Sequence, residues 1–402
     1  MKTEIITDQV ERAAEVLRGG GLLAVPTETV YGLAANGSDP GAVEKIYEVK
    51  GRPTVKPLSL MVSGPEAIPA LALDVPGAAR ALAEAFWPGP LTIVLKAKES
   101  VPSIVRAGGG TVGLRCPAHP LTLAVLRAVD FPLAAPSANP SGLPSPKTAR
   151  EVLAYFDGRI DAVLDGGPCG LGKESTIVSL AEAPYRILRC GALPEERIAD
   201  VLVRHMTVFG ITGGSGSGKT TALHVLRELG ALVIDADAVY HELLRSDESL
   251  LSAISARFPG TVDEHGLDRK ALAARVFGDS AALAALNAIT HPAVIRETTT
   301  RLREHAMNGG TLAAIDAIGL IGSGLDELCD RTYAVLADRE TRLKRIMRRD
   351  GLGEEAARRR LDAQPPDDHY VSFCSAVLHN DSTEEAFSAF CKNTFLEDLN
   401  HG

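Results

Sequence analysis

Residues 213–220 read Gly-Gly-Ser-Gly-Ser-Gly-Lys-Thr, and this glycine-rich run lies in the middle of a chain of 402 residues. An apolar strand is predicted just before it at 208–211, and a helix just after it at 220–229. In this strand–loop–helix context, backbone N–H groups and the helix N-terminus converge on phosphate oxygens. The run therefore predicts a phosphate-binding loop, and its central position predicts two domains, 1–205 and 206–402.

The residues of this loop have separate predicted tasks. Lys219 is predicted to reach the β- and γ-phosphates of ATP, and the hydroxyl of Thr220 to bind Mg²⁺. The alternative is a glycine-rich surface turn that ends in a lysine, and the matching flanks argue against it. The residues predicted to contact the nucleotide through this motif are Gly213, Gly214, Ser215, Gly216, Ser217, Gly218, Thr220 and Thr221.

Composition is that of a globular protein without a membrane segment. Hydrophobic residues make up 45% and charged residues 23% of the chain, and no apolar run is long enough to span a bilayer. The N-terminus also lacks a secretory-signal pattern, so we expect a cytoplasmic protein with no membrane partner. The six cysteines lack Cys-x-x-Cys spacing, which predicts reduced thiols, no zinc site and no disulfide-linked partner. The net charge of −9 argues against general nucleic-acid binding.

Helix and strand signals alternate in both halves, which predicts an α/β fold throughout. The helices predicted in the first half lie at 8–18, 42–49 and 194–205. The strands predicted there lie at 21–25, 91–95, 112–115, 162–164 and 176–180. The strands predicted in the second half lie at 208–211, 232–234, 311–315, 333–336 and 376–378. Helical stretches separate the latter, which favours a parallel sheet.

Three polar segments of the first half end predicted strands or helices with proline and glycine. They lie at 26–33, at 50–53 with Lys56, and at 136–142. Lys50 and Arg52 are placed to project two cations toward one anion, and Ser137 and Asn139 share one side of an extended loop. An anionic ligand is therefore expected. The alternatives are a solvated basic face, an ordinary turn, or an RNA-contacting patch that includes Arg115.

Over residues 5–200 the first half resembles the threonylcarbamoyl-AMP synthase family, whose YrdC-like fold is a twisted sheet with helices. The resemblance rests on the stretches PTETVYGL, KGRP, WPGPLTIVL, GLRCPAHP, PLAAPSANPSG, ESTIV and ILRCGAL. It implies ATP, L-threonine and bicarbonate as substrates, and threonylcarbamoyl-adenylate and pyrophosphate as products. It also implies an indirect link to tRNA modification proteins.

The chemistry implied by this resemblance needs no enzyme nucleophile. A carbamate of threonine attacks the α-phosphate of ATP, so positioning and charge stabilisation are required. The resemblance assigns the catalytic cations to Lys50 and Arg52, and the threonine pocket to Thr29 and Tyr31. The residues it places at the nucleotide and its phosphates are Arg115, Ser137, Asn139, Ser175 and Arg189.

Two carboxylates close the second predicted strand of the C-terminal half. Asp235 and Asp237 are two residues apart at the carboxyl edge of the sheet, where open α/β sheets bind ligands. One is predicted to accept the proton of an attacking hydroxyl, and the other to orient Mg²⁺. The alternative is that one of them caps the following helix.

A basic run at 338–360 is predicted to form a lid. It contains nine Lys and Arg residues and follows a predicted strand. In P-loop proteins, arginines in this position close on the transferring phosphate. A solvated helix face is the alternative.

Across 207–385 the second half resembles the dephospho-CoA kinase family, in which a P-loop parallel sheet carries a lid and a helical substrate-binding region. The resemblance rests on the loop, the two aspartates, the basic run, Gln364, and the segments at 266–269, 276–277 and 291–292. It implies transfer of the ATP γ-phosphate to the ribose 3′-hydroxyl of dephospho-CoA. The roles it assigns are general base for Asp237, metal- and substrate-side carboxylate for Asp235, lid arginine for Arg345, adenine neighbour for Asn380, and substrate contacts for Arg269 and His291.

Four departures from this family pattern fall on the acceptor side. Residues 318–322 replace a Pro-Leu-Leu segment, His241 replaces an arginine, Cys374 and Ser375 replace Ala-Asp, and the acidic stretch 365–368 replaces basic residues. Neither His241 nor His291 has a partner at metal-ligand spacing. The sequence thus predicts a bifunctional enzyme. The alternatives for its second half are a kinase for another small-molecule hydroxyl and a nucleotide-binding regulatory module.

Overall fold

A computed structural model describes residues 2–263 and 266–401. The chain divides into two compact units, Met1–His205 with Met307–Gly309, and Met206–Ala306 with Gly310–Gly402. Among the described residues, no helix is both long and apolar enough to cross a membrane.

The first unit alternates helices and strands, as predicted. Its helices are α1 (Val10–Arg18), α2 (Pro40–Lys50), α3 (Ile68–Leu71), α4 (Gly77–Phe86), α5 (Pro120–Ala128), α6 (Ala149–Phe156) and α7 (Glu195–Arg204), with a 3₁₀ turn at Pro65–Ala67. Its strands are β1 (Glu4–Ile6), β2 (Leu23–Val25), β3 (Gly32–Asn36), β4 (Ser59–Met61), β5 (Ala72–Leu73), β6 (Leu91–Ala97), β7 (Thr111–Arg115), β8 (Leu133–Ala134), β9 (Ala162–Leu164), β10 (Thr176–Ser179) and β11 (Arg186–Arg189).

These strands form one mixed sheet in the order β1-β9-β2-β3-β8-β4-β7-β6-β10-β11, with β5 paired to β6. Helices α1 and α5 pack on it around a core that includes Leu17, Val125 and Leu164. Strand β10 is parallel to β6, whereas β7 is antiparallel to β6 and β11 is antiparallel to β10. The carboxyl ends of β7 and β11 therefore lie near the amino end of β10.

The second unit contains the predicted P-loop sheet and a largely helical region. Its helices are α8 (Lys219–Glu228), α9 (Ala236–Ser246), α10 (Glu248–Arg257), α11 (Arg269–Val276), α12 (Ser280–Met307), α13 (Arg339–Asp350), α14 (Glu354–Asp362), α15 (Asp367–Phe373) and α16 (Glu384–His401), with a 3₁₀ turn at Asp326–Leu328. Its strands are β12 (Thr207–Thr212), β13 (Leu232–Asp235), β14 (Val262–Asp263), β15 (Gly266–Leu267), β16 (Leu312–Asp316), β17 (Arg331–Leu336) and β18 (Ala376–His379).

Five of these strands form a parallel sheet in the order β13-β16-β12-β17-β18, which confirms the predicted sheet and its fold class. Phe209, Tyr333 and Phe395 pack in its core, with ring centroids 5.1 to 5.8 Å apart. Because the strands are parallel, the loop after β12 and the carboxylates after β13 and β16 meet at one edge. The predicted lid segment consists of α13 and α14.

Candidate active sites

A cavity of about 150 Å³ opens in the first unit where β7, β10 and β11 approach one another. Its wall combines three guanidinium groups, four hydroxyls and one carboxylate. These residues are Arg52, Arg115, Arg189, Ser59, Thr92, Ser137, Ser175 and Glu174. Three cations around so small a space create a positive potential that attracts an anion.

Arg115, the last residue of β7, is held in place by its neighbours. Its Nη2 donates to Glu28 Oε1 at 2.7 Å and to Thr29 Oγ1 at 2.8 Å, and its Nε donates to the Gly89 carbonyl at 3.3 Å. The other oxygen of Glu28 accepts the backbone N–H of Ala118 at 2.9 Å. This largely buried ion pair fixes the direction of the guanidinium. Glu28 was not among the residues predicted from the sequence, although it adjoins Thr29 in the same polar segment.

Arg189, the last residue of β11, is held against Ser175. Its Nε donates to the Ser175 carbonyl at 3.0 Å and its Nη2 to Ser175 Oγ at 3.1 Å. Burial lowers the pKa of Arg189, as do the positive charges of Arg115 and Arg52. Arg52 is anchored by a bond from Nη2 to the Pro57 carbonyl at 3.0 Å. An anion between these guanidinium groups relieves their repulsion.

Lys50 and Asn139 lie behind the cavity wall. Lys50 ends α2, is only 3% exposed, and donates through Nζ to the backbone carbonyls of Ser137 and Asn139. Burial and the charge of Arg52 lower the pKa of Lys50 to about 7. The Asn139 amide donates to the Leu143 carbonyl at 2.6 Å. Both residues therefore order the loop that presents Ser137 to the cavity.

The two residues predicted to line a threonine pocket are buried beside the cavity. Thr29 Oγ1 lies 2.8 Å from Thr27 Oγ1, in addition to its bond from Arg115. The Tyr31 hydroxyl donates to the Gly167 carbonyl at 2.8 Å. Val30, between them, lines the cavity. Contact of Thr29 and Tyr31 with a ligand stays a prediction.

In the second unit, the phosphate loop joins β12 to α8 and curls around its own lysine. Lys219 Nζ donates to the Gly213 carbonyl at 2.8 Å. Gly218 has a φ of 105°, and a Cβ there would lie 1.9 Å from Asn380 Nδ2, so glycine is required. Thr220 is exposed in the first turn of α8, and Thr221 follows it.

A third carboxylate, Asp316, joins the two that the sequence predicted. Asp316 ends β16 in register with Asp235 of β13. Burial raises the pKa of Asp316 to about 6, and the charge of Lys219 opposes this shift. Its Oδ1 is buried and has no hydrogen-bond partner within the described part of the chain. The sequence feature that could have predicted Asp316 is its position at the carboxyl end of the strand next to β12, the strand that leads into the phosphate loop.

Asp235 and Asp237 differ in what they contact. Asp235 Oδ1 accepts the backbone N–H of Ala238 at 3.0 Å, so this residue does cap α9. Asp237 lies in the first turn of α9. Burial raises the pKa of Asp237, as does the charge of Asp235, whereas Lys219 and His241 act in the opposite direction. A raised pKa suits a carboxylate that accepts a proton.

Arg345 and Asn380 meet on the backbone of the loop. Asn380 Nδ2 donates to the Ser217 carbonyl at 2.8 Å. Arg345 Nη1 lies 3.3 Å from the carbonyls of Gly216 and Ser217, and its Nη2 lies 3.3 Å from Asn380 Oδ1. The predicted lid arginine and the predicted adenine neighbour therefore contact each other.

A cavity of about 310 Å³ adjoins Asp237, between α9, α12 and the segment after β16. Its polar lining residues are Asp237, Tyr240, Asn287, Thr290, His291 and Ser323, and its aliphatic ones include Leu283, Leu286, Val294 and Leu325. Burial lowers the pKa of His291, which favours the neutral ring. His291 and Asp237 thus share one cavity.

Arg269 lies in a neighbouring cavity of about 230 Å³, also beside α9. The side chains that line it include Arg245, Arg269 and His241, and Arg269 Nη2 lies 2.9 Å from His241 Nδ1. Within residues 2–263 and 266–401, no acidic side chain pairs with Arg245 or Arg269. Two guanidinium groups therefore line this cavity.

The divergent segment 318–322 closes the end of β12. Thr212 Oγ1 donates to the Ile318 carbonyl at 3.1 Å, and Leu320 is fully buried. Gly319 lines the cavity beside Asp237. The segment therefore shapes that cavity.

Over the described residues, no group of three or more His, Cys, Asp or Glu side chains forms a metal cluster. The six cysteines are free thiols.

The parallel sheet and its loop define the second unit as a P-loop nucleotide-binding fold. A family model described as "Telomere recombination" (Sua5_yciO_yrdC) matches residues 15–191, and one described as "Dephospho-CoA kinase" matches 207–385. A dephospho-CoA kinase from Corynebacterium glutamicum is 38% identical over 194 residues, which are 48% of this chain and 100% of that protein.

Relatives of the first half are threonylcarbamoyl-AMP synthases. The one from Pyrococcus abyssi is 45% identical over 205 residues, which are 50% of this chain and 60% of that protein. A Mycobacterium tuberculosis protein provisionally named as such a synthase is 38% identical over 199 residues, which are 49% of this chain and 91% of that protein. The chain spans only 52% to 60% of the three curated synthases with 40% to 45% identity. The chain belongs to the threonylcarbamoyl-AMP synthase family in its first half and to the dephospho-CoA kinase family in its second.

Proposed function

We propose that the chain is a bifunctional enzyme whose domains are 1–205 and 206–402. The first makes threonylcarbamoyl-adenylate and pyrophosphate from ATP, L-threonine and bicarbonate. The second phosphorylates the 3′-hydroxyl of dephospho-CoA with ATP. The observation that carries this proposal is that each half belongs to one of the two families. The first half has a cavity lined by three arginines, and the second has a glycine-rich loop that curls around Lys219.

In the first domain, a carbamate oxygen of threonine attacks the α-phosphorus of ATP while the bond to pyrophosphate breaks. Arg52, Arg115 and Arg189 stabilise the charge on the phosphate oxygens. Ser137 and Ser175 contribute neutral donors, and Lys50 and Asn139 hold the loop that carries Ser137. The product is a reactive intermediate for tRNA modification, which links this domain indirectly to tRNA modification proteins.

In the second domain, the acceptor hydroxyl attacks the γ-phosphorus of ATP and ADP leaves. Asp237 takes the hydroxyl proton, and its raised pKa brings its basicity closer to neutral pH. Lys219 and the loop N–H groups hold the β- and γ-phosphates. Arg345 and Asn380 hold the nucleotide from the lid side, and His291 contacts the acceptor within the shared cavity.

Mg²⁺ fits this second site. It is bound in proteins through one or two carboxylates together with waters and substrate phosphates, so a protein-only cluster is not required. Thr220, Asp235 and the unpartnered Oδ1 of Asp316 are the oxygens that would hold it. When bound, Mg²⁺ neutralises charge on the β- and γ-phosphate oxygens.

The cationic cavity beside α9 suits the diphosphate of dephospho-CoA. Arg245 lies one helical turn after His241, so it supplies a cation on the same face where the family pattern has an arginine at 241. Arg269 adds a second cation. An uncharged acceptor would gain nothing from this cavity, which is why we propose a phosphorylated one.

The test is mass spectrometry of the products formed by the full chain with Mg-ATP and either dephospho-CoA or threonine with bicarbonate. CoA and threonylcarbamoyl-adenylate are both expected. Asp237→Asn should reduce CoA formation by about 10²- to 10⁴-fold and leave the adenylate unchanged. Formation of adenylate without CoA would contradict the assignment of dephospho-CoA as the acceptor. The second half would then be a kinase for another hydroxyl or a regulatory nucleotide-binding module.

A further inference from the structure

Ser215 lies within the phosphate loop. Its N–H, carbonyl and hydroxyl groups all form hydrogen bonds with side chains that are distant in the sequence. Its N–H donates to Gln364 Oε1 at 2.9 Å, and its carbonyl accepts from Arg342 Nε at 3.1 Å. Its hydroxyl lies 2.7 Å from Gln364 Nε2 and accepts from it. Ser215 is 7% exposed and Arg342 6%. These hydrogen bonds therefore connect the loop to α13 and to the segment that follows α14.

Arg342 is itself held from the side away from the loop. Its Nη2 donates to Gln364 Oε1 at 2.9 Å and its Nη1 to Asp367 Oδ1 at 3.0 Å. Asp367 is the first residue of α15 and belongs to the acidic stretch 365–368 that departs from the family pattern. That departure thus supplies the counter-charge for a buried guanidinium, which is costly to leave unpaired.

The glycines of the loop are shaped to this contact. A Cβ on Gly214 would lie 2.0 Å from Arg342 Nη2, and one on Gly216 would lie 2.8 Å from the Arg342 carbonyl. Two glycines of the phosphate-binding motif therefore also make room for Arg342.

We propose that Arg342, held by Asp367, is a positioning residue that orders the phosphate loop before nucleotide binds. Glycine-rich backbone is costly in entropy to order, so a loop fixed in advance binds phosphate with less loss. Arg342 acts through Ser215 and Gln364 rather than by contact with the nucleotide. This inference rests on the proposed binding of nucleotide at this loop.

Calorimetric titration of the full chain with Mg-ADP tests the proposal. Lys219→Ala, titrated in parallel, measures ADP bound outside the phosphate loop. Arg342→Met is expected to weaken ADP binding at the loop by about tenfold, equivalent to about 1.4 kcal/mol. The KM for ATP in CoA formation should rise by a similar factor, with kcat changed less than about twofold. A purely structural role would lower the unfolding temperature without raising the KM for ATP relative to kcat.

Asp367 provides a second and milder variant. Asp367→Asn keeps the side-chain shape but removes the charge, and should weaken ADP binding by about threefold, whereas Asp367→Glu should restore it. Arg296→Met is the matched control, because Arg296 is exposed on α12, outside the predicted lid. It should bind ADP like the wild type.

The outcomes separate this inference from the proposed function. Identical titrations of the wild type and Lys219→Ala would overturn nucleotide binding at the loop, and the inference with it. ADP affinity in Arg342→Met within about twofold of the wild type would overturn the inference alone. If Arg342→Met does not fold, Asp367→Asn is the test of the proposal. Unchanged ADP affinity in Asp367→Asn would reject a role of Arg342 and Asp367 in ordering the loop.

Discussion

At the scale of single residues, the guanidinium groups that line the first-unit cavity are held in place by their neighbours. Glu28 and Thr29 fix Arg115, and Ser175 fixes Arg189. Donors held in this way need little reorganisation when phosphate arrives. The direction of each cation is therefore a property of the folded chain rather than of the ligand.

Lys50 makes the first domain sensitive to pH near neutrality. Its pKa is lowered from 10.5 to about 7, so its ammonium is charged below that pH and neutral above it. Its bonds to the carbonyls of Ser137 and Asn139 weaken when the charge is lost. The KM for ATP in adenylate formation is expected to rise by about threefold to tenfold between about pH 6 and about pH 8.

Lys50→Arg is the control for this profile, because arginine stays charged throughout that range. Its KM for ATP should be nearly constant with pH. A rise as steep in Lys50→Arg as in the wild type would remove Lys50 as the cause.

Arg245 tests the cationic cavity beside α9. Arg245→Ala should raise the KM for dephospho-CoA by about tenfold, with little change in kcat, because a charge-assisted contact to phosphate is lost. Steady-state kinetics at saturating ATP measures this. Arg296→Ala, an exposed arginine of α12 that lines neither cavity, should behave like the wild type. Equal effects of the two substitutions would exclude a specific site.

The sequence predicted site residues that lie in local motifs at the ends of strands. It did not predict a residue that reaches the loop from a distant part of the sequence. Lys219 and Asp237 follow directly from motif and strand position. Arg342 contacts Ser215 across 127 positions of sequence, and no local pattern encodes that meeting. Asp316 could have been predicted from the sequence, because it directly follows the strand predicted at 311–315.

At the scale of elements, continuous apolar runs made the parallel strands visible in the sequence. All five strands of the second-unit sheet lie within two residues of their predicted positions. Six strands of the first unit were not predicted. Among them β5 and β8 have two residues each, β1 and β4 have three, and β11 is mostly exposed, whereas β3 has five residues and is largely buried. The short strands are defined by their neighbours in the sheet, because their own residues show no clear alternation.

Gly210 tests the packing of the central strand β12. A Cβ there would lie 2.7 Å from Leu320 and 2.9 Å from Cys329 Sγ, so Gly210→Ala overpacks the sheet. We expect the free energy of unfolding to fall by about 1–3 kcal/mol. CoA formation should therefore be half lost at a lower urea concentration than in the wild type. Adenylate formation should be unaffected. Gly353→Ala, where a Cβ meets nothing within 4 Å, is the control, and equal midpoints in the two variants would contradict the packing argument.

At the scale of the whole molecule, the two sites belong to separate compact units. Each has its own cations: Arg52 and its neighbours in one, Lys219 in the other. Sites without shared partners usually respond independently to substitution.

Paired substitutions measure this independence. Lys219→Ala is expected to abolish CoA formation and spare adenylate formation. Arg52→Ala should do the reverse, since losing a cation at the transition state costs about 2–4 kcal/mol. Assays of both products on both variants are the measurement, and joint loss of the two activities in either variant would show that the sites are coupled.

The bond from Asn380 to the Ser217 carbonyl has a consequence for biosynthesis. It joins residues 163 positions apart, and Gln364 reaches Ser215 from 149 positions away. A ribosome releases the phosphate loop long before it releases the side chains that close on that loop. The sheet of the first unit is complete by residue 189, so that sheet can form while the loop of the second unit still lacks the side chains that close on it.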